Sequence, residues 1–420
     1  MRLDHLHLQN FRCYAEAHFD FNPGFNLLVG INGSGKTSLL KAIACAFTGF
    51  GNGLRAGAQG PDKHDIRFVI DKTDSKLRFE RKFPLQLKAS GALADLTEWK
   101  TLLTSDQVPP LDDLSVNLQV DGLMQRISDG ETITLPLLAF YQANRRLSGS
   151  QVSSESAARE QLSRFDGYLN WFDAVADMRG FESWVISKTL ERMQSVIEGG
   201  ASTGHDELAW VNEAIAIALP EASNLTYHLS FKSILVDIQG RTLLFNELSD
   251  GQRGLITLVA DIARRMCVLN PHLGSDVFEK TNGVVIIDEL DVHLHPAWQR
   301  RVAPALKQAF PNVQFVAASH SPQVIGSLTP GEIILLNDCA AAHPRTTYGL
   351  DSSSVLAEVM GVEQRDPSIE EGLSKLFTWL EGNDLAQAKL QLDVLKRKAP
   401  DLPEYARAEA LITRKEAIGR

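Results

Sequence analysis

The sequence predicts an α/β fold in which a mixed central sheet is joined by an antiparallel β layer, a helical insertion and a helical C-terminal tail. Three observations lead to this prediction. Apolar strands alternate with helical segments, which favours a sheet flanked by helices. Between residues 66 and 120, short apolar runs are separated by Asp, Ser, Gly and Pro, which is typical of antiparallel strands. Beyond Asp351 the apolar spacing is helical, with breaks at Pro367, Gly382 and Pro400.

The elements follow in order along the chain. The first three strands are predicted at Leu3–Gln9, Tyr14–Phe21 and Phe25–Val29, and a glycine-rich turn then leads into a helix over Lys36–Phe47. The strands predicted for the antiparallel layer are Ile66–Ile70, Lys76–Phe83 and Ser115–Val120. Further strands of the main sheet are predicted at Pro136–Tyr141, Gly283–Ile287, Val313–Ala318 and Ile333–Leu336. The expected domains are an N-terminal lobe (1–145), a helical insertion (146–222), a C-terminal lobe (223–350) and a tail (351–420).

Composition narrows the function classes. The 420 residues are 44% hydrophobic, yet no run of about 18 apolar residues could span a membrane. The start lacks the apolar core of a signal peptide, and the scattered cysteines include no CxxC pair, so we expect a cytoplasmic protein with reduced thiols. A net charge of -10 repels the nucleic-acid backbone, so DNA binding would need a local basic patch. The candidate patches are Arg145-Arg146, Arg264-Arg265, Arg300-Arg301 and Lys396-Arg397-Lys398.

Residues 30–37 match the pattern GxxxxGK[ST] between a predicted strand and a predicted helix. In that setting the glycines allow a tight turn whose amide groups point at an anion, and the helix adds its positive end. Lys36 would reach the β- and γ-phosphates of a nucleotide, and Thr37 would hold Mg²⁺. The predicted ATP-binding residues of this loop are Asn32, Gly33, Ser34, Gly35, Lys36 and Thr37.

Two acids end the apolar strand that begins at Gly283. Asp288 can approach the Mg²⁺ shell while Glu289, as general base, meets the attacking water. The next strand ends at His320, which the expected strand order would bring beside the γ-phosphate as a sensor; the alternative is a structural histidine at a strand end. His293 and His295 lack further ligands at metal-binding spacing, so a helix-entry role ahead of Pro296 is favoured over zinc.

A second anion site is predicted at the helix that follows Leu248. There the hydroxyl of Ser249, the amide of Gly251 and the neighbouring Gln252 stand at a helix N-terminus. The combination of these motifs resembles the ABC superfamily, whose LSGGQ-like signature completes the ATP site of the opposite subunit. Asp250 departs from the commonest glycine of that signature but leaves the serine and the second glycine intact.

The resemblance implies an ABC-ATPase head that forms a head-to-head dimer, or a higher oligomer built from it, around ATP and Mg²⁺. Asp291 matches the D-loop that crosses the dimer interface. Gln142, after a predicted strand, matches the Q-loop that senses the metal and the water, although a plain structural role for this residue stays open.

The opening Leu8 to Tyr14 and the loop near Asn32 resemble the RecF, SMC and OLD-like branch. In such proteins the residue that Arg12 matches reaches toward nucleotide; the alternative is a surface arginine after a strand. Residues 288–296, 319–322 and the tail resemble compact bacterial AAA-labelled ABC ATPases, and within them the PtuA-type subunits of Septu antiphage systems. No Toprim or HNH ligand set occurs in this chain, so any cleavage would belong to a partner. The resemblance implies that this partner is a nuclease of the HNH class, PtuB-like.

Three functions therefore remain open. The favoured one is an ATPase that regulates a partner nuclease, and the second is a RecF-like clamp that binds DNA in repair. A transporter's cytosolic subunit fits least, because the opening motif is not of the transporter kind and a long segment separates Gln142 from Leu248. That segment is too short for the coiled-coil arm of an SMC protein and lacks sustained heptads.

Overall fold

The fold was analysed in a computed structural model. It describes residues 1–54, 56–57, 60–73, 76–143, 163–197, 206–361 and 366–418. Within these ranges the chain forms two compact units, Met1–Ser352 and Ser353–Arg420. Arg145-Arg146 and Leu162, an apolar position of the predicted insertion, lie outside the described residues.

A six-stranded mixed sheet forms the centre of the first unit. Its order is β16-β15-β3-β14-β13-β9, and every neighbouring pair is parallel except β15 with β16. Four of the strands are buried along their whole length, which explains why they read as continuous apolar runs rather than as alternating ones. The strands are β3 (Phe25–Val29), β9 (Leu137–Tyr141), β13 (Gly283–Ile287), β14 (Val313–Ala318), β15 (Ile333–Asn337) and β16 (Ala340–Ala342).

Antiparallel strands form three further sheets. A five-stranded sheet has the order β2-β1-β6-β7-β8, a three-stranded sheet is β10-β11-β12, and β4 pairs with β5 as a ribbon. These strands are β1 (Arg2–Phe11), β2 (Tyr14–Asp20), β4 (Phe68–Thr73), β5 (Lys76–Arg81), β6 (Leu85–Leu93), β7 (Leu96–Leu103), β8 (Leu111–Asp112), β10 (Ala222–His228), β11 (Ser233–Ile238) and β12 (Arg241–Leu244).

Helices pack against the central sheet of the first unit, and further helices form the second unit. They are α1 (Lys36–Ala46), α2 (Thr48–Gly53), α3 (Leu114–Ser128), α4 (Met178–Ile197), α5 (Glu207–Ala218), α6 (Asp250–Leu269), α7 (Val277–Lys280), α8 (Pro296–Ala309), α9 (Pro322–Ile325), α10 (Ser352–Ser354), α11 (Pro367–Glu381), α12 (Leu385–Lys398) and α13 (Glu404–Ile418). Short 3₁₀ turns occur at Arg164–Tyr168, Trp171–Asp177, Phe245–Glu247, Pro271–Asp276 and Pro330–Glu332, and a π-helical turn at Val355–Val359. No helix in the described ranges is long and apolar enough to cross a bilayer.

Helix α1 contacts strands of the central sheet and of the five-stranded sheet. Leu39, Leu40 and Ile43 on this helix are fully buried. At its end, Phe47 packs against Trp99 of β7, and the Trp99 indole donates to the Ala46 carbonyl at 2.8 Å. Burial of this helix between two sheets fixes its N-terminus, and therefore the preceding glycine loop, at the carboxyl edge of the central sheet.

The prediction of a strand at Ser115–Val120 is wrong, because these residues lie within α3. The side chain of Asp113 caps that helix by accepting from the Ser115 amide at 3.1 Å. Buried Val116 and Val120 stand one helical turn apart and face the core, whereas Leu114 and Leu118 are exposed. Beside β1 the layer is instead completed by β6 and β7.

The second unit consists mainly of three amphipathic helices, α11 to α13. Asp366 and Asp384 cap the first two of them with their carboxylates. Leu376, Leu392 and Ala408 belong to the shared core of this unit. The prediction of a helical tail is therefore confirmed, and α11 to α13 are separated at Gly382 and Pro400 as the sequence indicates.

Candidate functional site

The predicted phosphate loop, residues 30–37, joins β3 to α1. Its glycines provide what the sequence predicts: Gly33 and Gly35 have φ values of 84° and 101°, a region that residues with a Cβ rarely adopt. Gly35 is the N-cap of α1, and no side chain in the described part of the chain caps this helix start. The first amides of a helix lack partners within the helix, so those of α1 are available to an anion.

Lys36 closes the loop from inside. Its ammonium donates to the carbonyls of Gly30 and Ile31 at 2.8 and 3.0 Å. Burial lowers the pKa of Lys36, although the carboxylates of Asp288 and Glu289 act in the opposite direction. Lys36 is therefore close enough to both predicted acids to interact with them electrostatically. A phosphate bound in the loop would add negative charge beside Lys36 and so raise the pKa that burial lowers.

Tyr14, which the sequence analysis did not single out, supports the loop. Its hydroxyl donates to the Gly35 carbonyl at 3.1 Å. A Cβ on Gly35 would lie only 2.5 Å from that hydroxyl oxygen, so the close approach requires glycine independently of φ. Gly30 is equally constrained, because a Cβ there would lie under 3.0 Å from the Leu336 carbonyl oxygen. The loop is therefore held by its neighbours as well as by its own turn.

Strand β13 delivers Asp288 and Glu289 at the same edge of the sheet. Asp288 is buried, and its amide donates to the carbonyl of Tyr141 in β9 at 2.8 Å. Glu289 is exposed and has a φ of 48°, which shows that the backbone leaves the strand between the two acids. A non-glycine residue at positive φ is strained, and such strain is concentrated at functional sites.

His320 lies at the end of β14, close to the acids. Burial lowers its pKa, Lys36 lowers it further, and the carboxylates of Asp291, Glu289 and Asp288 act against both. All four charged groups are therefore near the imidazole, and their net effect with burial is a pKa below its usual 6.5. Asp291 follows the acid pair, and one of its carboxylate oxygens is buried without a hydrogen-bond donor among the described residues. Leaving a buried acceptor unpaired is unfavourable.

Helix α6 begins at the predicted signature. Ser249 is its N-cap and forms a capping box with Gln252, whose backbone N–H donates to the serine hydroxyl at 3.4 Å. Ser249 and Asp250 are exposed, whereas Gly251 is buried. A Cβ on Gly251 would lie under 3.0 Å from the carbonyl oxygen of His293, in the loop that follows the acids. Within one chain, the helix start therefore rests on the loop that carries Asp291.

A buried ionic network lies further along α6 and was not anticipated. Asp261 accepts hydrogen bonds from Arg264, from Arg265 and from the hydroxyl of Tyr141, the last at 2.8 Å. Burial alone would raise the pKa of Asp261, but the two guanidinium groups outweigh it and hold this pKa at about 2. Arg265 also donates to the carbonyls of Gly167 and Leu169, which lie within the predicted insertion.

This network corrects the proposal of Arg264-Arg265 as a basic patch, because both side chains are buried and bonded to Asp261. Asp261, Arg264 and Arg265 stand at positions i, i+3 and i+4 of one helix, a spacing that favours ion pairs and could have revealed the network. Arg300-Arg301 are exposed, and Arg397 and Lys398 are exposed in the second unit.

Two further predicted residues have partners elsewhere. The amide of Gln142 donates to the Phe172 carbonyl at 3.1 Å, so the insertion engages it in this structure. The guanidinium of Arg12 pairs with buried Asp65 at 2.8 Å, which fixes this arginine in the turn between β1 and β2. His295 is the N-cap of α8, and its ring accepts from the Ala297 amide, in accord with the helix-entry interpretation.

The residues present fit ATP with a divalent cation. The loop offers unpaired amides and an ammonium for phosphates, and Asp288 offers a carboxylate beside it. Thr37 at the start of α1 is exposed and offers a hydroxyl. Mg²⁺ prefers such oxygen ligands and takes its remaining ligands from water and phosphate. When bound, the cation would neutralise charge that develops on the transferred phosphoryl group.

Comparisons with known proteins agree with this chemistry. Residues 5–188 match the model of the AAA domain, and residues 126–326 match that of the "AAA domain, putative AbiEii toxin, Type IV TA system". The chain is 25% identical to the retron Ec83 probable ATPase of Escherichia coli, over 90% of this chain and 79% of that one. It is 22% identical to the Septu protein PtuA of Bacillus thuringiensis, over 90% and 89%.

Among solved structures, the SMC head bound to the C-winged helix domain of ScpA matches with a TM-score of 0.46 and 15% identity, over 82% of this chain and 97% of that one. The two AAA-domain models together span residues 5–326, and they overlap over residues 126–188, from the end of α3 into α4. The chain is an AAA-domain ATPase with retron and Septu ATPases among its relatives.

Proposed function

We propose that two copies of this chain close head to head around two molecules of Mg-ATP, and that hydrolysis reopens them and so switches a partner nuclease in antiphage defence. One observation supports the shared site above all. Each chain exposes two separate helix starts of the kind that receive anions, one at α1, just after exposed Asn32 and Gly33, and one at α6, at exposed Ser249 and Asp250. A nucleotide sandwiched between copies would use both.

In this proposal each residue near the phosphate loop has a defined task. Lys36 and the loop amides hold the phosphates, and Thr37 and Asp288 hold the cation. Glu289 orients and polarises the attacking water, and its exposure is suited to meeting solvent. His320 would donate one hydrogen bond from a ring N–H to an oxygen of the γ-phosphate.

The remaining predicted residues act between copies or between states. The unpaired carboxylate oxygen of Asp291 would receive a donor from the opposite copy, which removes the energetic penalty noted above. Gln142 would leave the Phe172 carbonyl to contact the cation and the water, and Arg12 would approach the nucleotide from the turn beside Gly35. Gln252 would stay in the capping box that orients Ser249.

Regulation of a partner follows from linkage. ATP bound between copies favours the closed state by its differential affinity for that state, and a partner that distinguishes closed from open is switched accordingly. The relatives named for Septu and retron systems support antiphage defence as the setting. We propose an HNH-class nuclease as the partner, because the resemblance to Septu ATPases implies one and the sequence predicts no nuclease ligands in the chain itself.

A mixing experiment tests the shared site. Chains with Ser249→Arg cannot offer the signature, and chains with Asp288→Ala cannot hold the cation, so each homodimer should be inactive. Half of the dimers in an equal mixture would be mixed, each with one intact composite site, and activity should return to about a quarter of wild type. The matched control replaces the second chain by Ser249→Arg/Asp288→Ala. If the first mixture is no more active than this control, the sites are not shared.

A second function, a RecF-like DNA clamp, stays open because exposed Arg300-Arg301 could contact phosphates. The clamp predicts a DNA affinity that appears with ATP, needs no partner and weakens steeply with salt. Regulation instead predicts that a neighbour-encoded HNH nuclease co-purifies with the chain and changes its activity when Glu289→Gln traps ATP. Partner-free DNA binding without such co-purification would favour the clamp.

A further inference from the structure

The outer face of the five-stranded sheet carries a cluster of imidazoles and carboxylates that the ATPase site does not use. In the pairing of β1 with β2, His7 stands directly opposite His18, and His5 stands opposite Asp20. The rings of His7 and His18 are stacked, with centroids 4.2 Å apart and planes 3° apart. Because strand side chains alternate, all of these groups share one face of the sheet.

Glu16 completes the cluster from the next position of β2 on the same face. Its carboxylate lies 3.1 Å from Nε2 of His7. One ligand atom from each of His7, Glu16 and His18 lies within 4.8 Å of the other two. In a tetrahedral zinc site with bonds of about 2.0–2.1 Å, neighbouring ligand atoms are about 3.3 Å apart. Small rotations of two imidazole rings on a fixed pair of strands bridge that difference.

We propose that His7, His18 and Glu16 bind one divalent cation of the zinc class. Two imidazoles and one carboxylate are a donor set that suits Zn²⁺ and leaves its fourth position to water. Imidazole ligands prefer late transition metals, whereas Mg²⁺ prefers oxygen, so the cation of the phosphate loop would not compete here. The site is distinct from the His293–His295 pair, in which His295 caps a helix.

The charges around the cluster allow a cation but moderate its affinity. Asp20 lies 2.5 Å from the ring of His5 on one side, and Glu16 is itself anionic. On the other side, Lys88 of β6 pairs with His7 across the strands, and Lys100 of β7 pairs with Lys88. These groups line or adjoin an open groove of about 620 Å³ that gives solvent access to His7 and His18. Removal of the Lys88 charge should therefore tighten binding.

A cation at this site would join β1 to β2. The turn between these strands leads into Tyr14, the first residue of β2, whose hydroxyl donates to the Gly35 carbonyl of the phosphate loop. Metal binding to the folded state alone stabilises that state by mass action. The thermal midpoint should therefore rise on addition of Zn²⁺, independently of ATP hydrolysis.

The test is a Zn²⁺ titration of the full chain, free of affinity tag and stripped with chelator, against a chromogenic competitor in excess Mg²⁺. We expect one Zn²⁺ per chain with a matching rise of the thermal midpoint. His7→Ala and His18→Ala should each weaken binding by at least about tenfold and abolish the thermal shift, and Glu16→Gln should act in the same direction. Co²⁺ should give the visible bands of four-coordinate cobalt in wild type only.

Three controls separate this site from other zinc binding. His5→Ala changes a histidine on the same face and should retain one Zn²⁺ per chain, and Lys88→Ala should tighten binding. Cys13→Ser removes an exposed thiol and should leave the stoichiometry unchanged. The proposal is overturned if wild type binds no Zn²⁺, or if binding survives His7→Ala and His18→Ala. It is equally overturned if binding is lost with Cys13→Ser; circular dichroism of each variant confirms that it is folded.

Discussion

The α-carbon of Gly251 lies against the carbonyl oxygen of His293, so closely that a Cβ would come under 3.0 Å from that oxygen. The contact joins the start of α6 to the loop after Glu289. The obstacle is backbone, which cannot rotate away as a flexible side chain could.

Gly251→Ala should therefore displace either the helix start or the His293 loop. We expect ATPase activity to fall by at least about tenfold, because small misplacements of catalytic groups have large effects on rate. Gly254→Ala is the matched control on the same helix, since a Cβ there meets nothing within 4 Å. It should keep activity and gain slightly in stability, because alanine favours the helix. Equal activities in both variants would contradict the contact.

Glu289→Gln should bind ATP with nearly unchanged affinity yet hydrolyse it about 100-fold or more slowly, because the amide cannot act as a general base. Lys36→Ala should instead lose nucleotide affinity. Equilibrium binding of a fluorescent ATP analogue and phosphate release distinguish the two effects. Glu213→Gln, an exposed glutamate on α5, serves as the matched control. Normal turnover in Glu289→Gln would assign the base elsewhere.

Asp261→Asn should destabilise the first unit by about 3–5 kcal/mol, since it leaves two buried guanidinium groups without their counter-ion. Asp276→Asn breaks an exposed ion pair with Lys280 and should have no measurable effect on unfolding. Urea unfolding at pH 7 measures both. A loss in Asp261→Asn no larger than that of the control would show that the network adds nothing to stability.

Acid should act on the same network. The pKa of Asp261 is about 2 in the folded chain against 3.8 for an unperturbed group, because burial is outweighed by Arg265 and Arg264. A depressed carboxyl pKa stabilises the fold above 3.8, and that contribution is lost as the pH falls toward 2. The difference in unfolding free energy between wild type and Asp261→Asn should shrink over that interval. A difference independent of pH would exclude the ionised carboxylate as its source.

His320 should titrate below the usual 6.5, because burial and Lys36 both disfavour its protonation. Mg-ATP brings phosphate charge toward this group, so the pKa should rise when ATP binds to the slow variant Glu289→Gln. The NMR chemical shift of the ring protons followed against pH measures both values. A pKa at or above 6.5 without nucleotide would contradict the environment described here.

The local sequence is sufficient to predict the phosphate loop and strand β13. Positive φ angles favour glycine and a fully buried strand requires apolar residues, so both features can be recognised from the residue types. Ser115–Val120 was assigned to the wrong element because its alternating apolar residues fit both a strand and one face of a helix. Asp113 is a helix-capping residue shortly before this segment, and this favours the helix over the strand. Strand β6 alternates plainly at Leu85, Leu87 and Ala89, but its partner β1 lies far away in the sequence, so local patterns could not give the pairing.

The candidate site, like the fold, could be predicted only in part from the sequence. Motif spacing predicted Lys36, Asp288 and Glu289 as neighbours, and the electrostatics of Lys36 place it near both acids. The burial of Arg264 and Arg265 could not be read from their adjacency, because two arginines side by side look alike on a surface and in a core. Their environment is set by Asp261 on the previous turn and by carbonyls of the insertion.

Tyr141 is bound at both of its ends. Its carbonyl accepts from the amide of Asp288, and its hydroxyl donates to Asp261, which lies midway along α6. A rotation of that helix must therefore either break a buried hydrogen bond or pull on the strand beside the acids. Arg265 extends the same chain of hydrogen bonds to Gly167. A protein that binds the insertion could therefore change the rate of hydrolysis from a distance, without contacting the nucleotide.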